Sequence, residues 1–131
     1  MKFLGGKTLC KILIHNVLTA FVHNFSADLR MYLNSELNIM DVVQQVGTNR
    51  TYISKIINKQ YNQNFCSFVN GYRIEELKRV YANNPEYTHD LLAETSGFGS
   101  FNSMKRAIFS KTGLSLSEWK KQVHKKELNR H

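Results

Sequence analysis

The chain has 131 residues, a length that suits one domain or two small subdomains and excludes a large multi-domain enzyme. Lys and Arg number 18 against 10 Asp and Glu, and the net charge of +8 favours a polyanionic partner such as nucleic acid while saying nothing about fold. An apolar fraction of 42% argues against wholesale disorder, and one proline with seven glycines is too few turn residues for many short strands, so the composition favours helices.

From the N-terminus, the longest apolar run spans 12–22, contains His15 and Asn16, and falls far short of the ~20 residues that span a bilayer. No membrane is expected as partner. Lys2 followed by apolar residues up to Ser26 and Ala27 has the outline of a signal peptide, but Lys7, Lys11 and His15 interrupt its apolar stretch. Ile12, Leu13, Val17, Leu18, Phe21 and Val22 stand at helical spacing, so residues 1–26 read as a helical N-terminal extension. Two readings of that face stand: it covers the core, or it pairs with a second copy of the chain. Cys10 and Cys66 form no CxxC and have no nearby His pairing, so neither a disulfide framework nor a zinc site is signalled and a reducing cytoplasm is expected.

A first helix-turn-helix is predicted over about 38–60. Asn38 can cap a helix with Asp41 near its positive end and Ile39, Val42, Val43 and Val46 on its apolar face. Gly47 ends it, and Asn49 caps a second helix running to about Lys59. A connecting helix is predicted over about 67–82, carrying Phe68, Tyr72, Leu77 and Tyr81, with Gly71 inside it and Pro85 beyond. Its length would be about 24 Å at 1.5 Å per residue. A second helix-turn-helix follows over about 88–111: Thr88 caps a helix with Leu91, Leu92 and Ala93, Gly97 ends it, and Ser100 caps a helix to about Lys111. Residues 124–131 read as a basic tail, either frayed or adding phosphate attraction.

The two pairs are copies. At an offset of 51, Ile53, Ile56 and Ile57 fall on Met104, Ala107 and Ile108, Phe65 and Phe68 on Leu116 and Trp119, and Asn62 on Gly113. Gly47 answers Gly97 at an offset of 50, which predicts one extra residue in the second turn. The sign of the charge alternates along the chain in step with this duplication.

Two helices joined by a short turn can place the second in the DNA major groove, or can be an ordinary hairpin of a bundle. The outward residues of the second helices are Arg50, Thr51, Ser54, Lys55, Asn58 and Lys59 in one copy, and Phe101, Asn102, Lys105, Arg106 and Lys111 in the other. Neither set contains an acid. A solvated bundle face usually mixes signs, whereas a face that meets phosphates is repelled by any carboxylate. Arg and Lys can donate to guanine O6 and N7, Asn can pair bidentately with adenine, and Ser or Thr can serve a base or a phosphate. Phe101 either rests on a thymine methyl or folds back on Phe98 or Leu92.

The run over 97–119, GFGSFNSMKRAIFSKTGLSLSEW, resembles the signature of AraC/XylS-type transcription regulators. Gly71, Tyr72, Arg73, Ile74, Glu75 and Glu76 are similar to the family's central helix, and 39–61 to its first helix-turn-helix, so the resemblance covers about 27–123. It implies an all-α DNA-binding domain: two helix-turn-helix subdomains, each a homeodomain-like three-helix unit, joined by a central linker helix. Two recognition helices would enter successive major-groove segments of double-stranded DNA, which recur about every 34 Å. Position by position, Thr51, Ser54 and Lys55 take the groove-facing places of the first recognition helix, and Asn102, Lys105 and Arg106 those of the second, with Arg50 and Phe101 adjacent. Val43, Met104, Ile108, Asn62 and Trp119 depart from the family pattern without altering these faces. Arg73 either pairs with Glu94 or Asp90 or stays solvated.

No HExxH, triad spacing or Walker loop appears, and neither cysteine sits in a basic helix-start motif, so no enzyme, cofactor or metal is expected. The rival function is a helical protein-interaction module that sets its basic face on an acidic partner. RNA polymerase is a second candidate partner, and a homodimer through the N-terminal segment or through a missing domain is a third. Residues 1–26 are too few for the effector or dimerisation region such regulators carry, so the chain reads as a fragment of a larger regulator or as a small regulator governed by its abundance.

Overall fold

The computed structural model describes residues 31–130, and the expected helix within 1–26 lies outside them. Among the described residues there are six α-helices, one 3-10 turn at Met31–Leu33 and no strand. The helices are α1 (Ile39–Val46), α2 (Arg50–Tyr61), α3 (Phe65–Asn83), α4 (His89–Thr95), α5 (Phe101–Thr112) and α6 (Leu116–Arg130). They fall into two compact units, with Leu37–Phe65 in the first and Tyr32–Glu36 with Cys66–His131 in the second.

In the first unit α1 starts with a capping box. Asn38 Oδ1 accepts from the Met40 and Asp41 amides, and the Asp41 carboxylate accepts from the Asn38 amide at 2.9 Å. Gly47 closes α1 in the left-handed region at φ 75°, where its N–H reaches the Val43 carbonyl. α2 packs on α1, with Ile53, Ile56 and Ile57 buried on the one helix and Ile39 and Val42 on the other. It ends at Asn62, whose φ of 53° makes it the one non-glycine residue with positive φ among those described.

In the second unit Leu77, Leu92, Met104, Ile108 and Trp119 are fully buried in one core, to which α3, α4, α5 and α6 all contribute. The 32–34 segment is tied to α3 by Arg73, whose Nε donates to the Tyr32 carbonyl and whose Nη2 donates to the Asn34 carbonyl, each at 2.8 Å. This corrects the expected ion pair with Glu94 or Asp90. Backbone carbonyls of the folded-back segment reach the guanidinium, so the arginine fastens chain to helix rather than helix to helix.

Two further expectations change. α4 ends at Thr95 with Ser96 as its C-cap, ahead of Gly97, so the turn of the second pair spans 96–100 against 47–49 in the first, two residues longer rather than one. Ser96 is fully buried and its hydroxyl donates to the Leu92 carbonyl at 2.6 Å, which satisfies the polar group at that early stop. Residues 124–130, read as a tail, continue α6 as helix, with Val123 still in the core and Arg130 paired to Glu127.

Candidate nucleic-acid interface

The duplication extends to helix ends. α2 and α5 start, stop and cap at positions 51 apart: Asn49 and Ser100 at the N-caps, Asn62 and Gly113 at the left-handed C-caps. Asn49 Oδ1 accepts from the Tyr52 amide at 2.9 Å, and Ser100 Oγ from the Ser103 amide at 3.1 Å. Each cap satisfies one of the free amides of its first turn and leaves others open to an oxygen ligand.

On α2 the inward stripe of Ile53, Ile56 and Ile57 leaves Arg50, Thr51, Ser54, Lys55, Asn58 and Lys59 exposed, and those six residues line one shallow depression. They form two rows at i, i+4, i+8, namely Arg50, Ser54, Asn58 and Thr51, Lys55, Lys59. α2 contains no carboxylate. The first unit therefore presents a polar and cationic ridge with three positive side chains and nothing to neutralise them within the helix.

On α5, Met104, Ala107 and Ile108 turn inward while Asn102, Lys105 and Arg106 are exposed, again with no carboxylate in the helix. Two of the expected outward residues are otherwise placed. Phe101 is half-buried: its ring stacks on that of His89 at 4.6 Å, and Lys105 Nζ lies 4.7 Å from its centroid. Lys111 is partly buried and reaches α3 beside Gly71, where a Cβ would stand 3.8 Å from its Nζ; burial pushes its pKa down. At that distance a Cβ would make only an ordinary van der Waals contact, so the lysine packs on α3 without requiring a glycine there.

Sequence offers Lys120 only as a basic residue for nonspecific phosphate attraction and gives His89 no role. Lys120 Nζ lies 3.0 Å from His89 Nε2 and 5.3 Å from the Tyr81 ring. The stack of His89 on Phe101 is thus flanked by two cations, Lys120 at the imidazole and Lys105 at the phenyl ring. Burial first, and then Lys120, push the His89 pKa down; Asp90 opposes them, and Lys105 adds the smallest downward push. His89 and Lys120 stand 31 positions apart and belong to no motif, so only the fold brings them together.

A family model described as a helix-turn-helix domain matches residues 42–122, more than half of the chain. The chain belongs to the AraC-type helix-turn-helix family. It is thereby a DNA-binding domain of transcription regulation, in a family of regulators rather than of enzymes. The fold of the AraC-type chain is similar to that of the C-terminal domain of AraT, a response regulator from Geobacillus stearothermophilus. That likeness has 16% identity and a TM-score of 0.62 and covers 83% of this chain and 84% of that one. A protein of unknown function from Listeria innocua is similar at 19% identity and a TM-score of 0.60, over 82% of this chain and 94% of that one. No curated protein matches the chain. No helix among the described residues is long and apolar enough to cross a membrane.

Proposed function

We propose that α2 and α5 are the two recognition helices and that they read successive major-groove segments of one duplex. The observation that carries this reading is the pair of exposed, acid-free faces on helices whose caps and lengths repeat residue for residue. In the first unit Thr51, Ser54 and Lys55 address base edges, with Arg50 at the helix start. In the second, Asn102, Lys105 and Arg106 do so, and Phe101, backed by His89, supports Lys105 from beneath. Asn102 suits adenine and Arg106 suits guanine, because each offers the paired groups those major-groove edges require. The Lys120 ammonium beside His89 suits a backbone phosphate, a contact that fixes register without reading sequence.

Transcription regulation by such a domain in a bacterial cell places the protein in the cytoplasm and makes RNA polymerase its downstream partner. Pairing of two copies would double the length of duplex that is read.

Salt dependence of binding tests the reading directly. Affinity of the full chain for random duplex should fall steeply and linearly on a double-logarithmic plot, because each neutralised phosphate releases condensed counterions. Absence of duplex binding at low salt would point instead to an acidic protein partner.

A further inference from the structure

The second unit contains a cleft of about 400 Å³ behind the outward face of α5. Arg73 enters it from α3 and Arg106 from α5, and Ser35, Asn70, Ser103 and Ser110 add hydroxyl and amide groups. The described residues that line it include no carboxylate; the Cys66 thiol is its only acidic group.

Arg73 is the unusual member. It is half-buried, and its hydrogen bonds go to neutral acceptors: the Tyr32 and Asn34 carbonyls and, at 3.4 Å, Asn70 Oδ1. Its guanidinium carbon lies 5.9 Å from the Phe98 ring centroid, and among the described residues it makes no ion pair. Burial accordingly pushes its pKa down, with only Cys66 opposing. Dipoles satisfy its donors but leave its charge uncompensated in a partly desolvated place. A second guanidinium, that of Arg106, lines the same cleft and adds to the same positive potential. Planar guanidinium forks match tetrahedral and planar oxyanions, and hydroxyl groups complete the ligation of such anions.

We propose that this cleft binds a phosphate-type oxyanion between the guanidinium groups of Arg73 and Arg106. The site itself does not depend on the DNA reading given above. Only its bearing on duplex binding does, because Arg106 also belongs to the face assigned to the bases. Either a backbone phosphate of the duplex or a free phosphate ion carries this chemistry.

Thermal unfolding of the full chain, with chloride replaced by inorganic phosphate at constant ionic strength, tests the site without any DNA. A saturable rise in Tm is expected, as for any ligand that binds only the folded state. Ser110→Asp, at an exposed position of α5, should abolish that rise, whereas Lys121→Gln, an equal change of charge on α6, should keep it. The same saturable rise in Ser110→Asp, or equal non-saturating rises in all three proteins, would overturn the site. Competition then separates the sources. Loss of duplex affinity in phosphate, present in the wild type and absent in Ser110→Asp, marks a seat for a backbone phosphate. Stabilisation by phosphate with duplex affinity unchanged marks a free oxyanion.

Discussion

The ring of His89 lies flat on that of Phe101, with centroids 4.6 Å and planes 11° apart. The two residues open α4 and α5, so the stack joins the starts of the two helices of the second helix-turn-helix. It also brings the imidazole within 3.0 Å of the Lys120 amine.

This contact makes stability depend on pH with a definite sign. The His89 pKa lies below its ordinary 6.5, so at pH near that value the unfolded chain binds more protons than the folded one. Stability is fully present above about 6.5 and is lost as pH falls through the lower folded pKa. Denaturant unfolding of wild type and His89→Gln between pH 5 and pH 8 should show a slope in the wild type that is reduced in the variant. Parallel curves would mean that the stack leaves the imidazole unperturbed.

Gly97 is required for two reasons at once. Its φ is +92°, and a Cβ there would fall on the Tyr32 carbonyl oxygen and within 2.8 Å of Leu33 Cα. Gly97→Ala should destabilise by more than about 1 kcal/mol, because the positive φ and the close backbone both oppose a side chain. Gly47, equally left-handed but with open space around it, should tolerate alanine with a smaller loss. Chemical denaturation of the two variants side by side checks the ranking.

Trp119 anchors α6 with 1% of its surface exposed, its ring 6.0 Å from that of Tyr81. Trp119→Ala should cost about 3 to 5 kcal/mol, the range for emptying a large buried aromatic site. Loss of the cooperative thermal transition of the second unit reads it out. Leu128→Ala on the same helix, where the side chain is exposed, should leave that transition within about 0.5 kcal/mol of its original stability.

The helices were legible in the sequence because their signals are local. Asn38 with Asp41, Asn49, Thr88 and Ser100 announce helix starts through side-chain chemistry that acts within three residues. Isoleucine and methionine stripes at i, i+3, i+4 announce the inward faces, and the 51-residue repeat carries both through the two copies. What sequence left open depends on contacts between distant positions. For Arg73 a sequence offers only an acid such as Glu94 or Asp90, or solvent, because charge is visible in it, whereas the carbonyls of Tyr32 and Asn34 look like every other carbonyl until the chain folds back on α3. The early stop of α4 at Thr95 rests on a buried Ser96 that satisfies itself, and the stack of His89 on Phe101 joins residues without a motif. The outward sets on α2 and α5 were readable as the complement of the apolar stripe. Lys111 leaves that set because it packs against α3 beside Gly71, a contact between helices that no helical-wheel argument contains.

Base preferences at each position of selected duplexes, compared among wild type, Lys55→Ala and Arg106→Ala, test the assignment of α2 and α5 most directly. Each substitution should relax preference at one position and cost on the order of 1 to 3 kcal/mol there, and the two affected positions should lie in different halves of the site. Equal loss of affinity on every sequence, or relaxation confined to the same half for both variants, would contradict two recognition helices that each read their own groove segment.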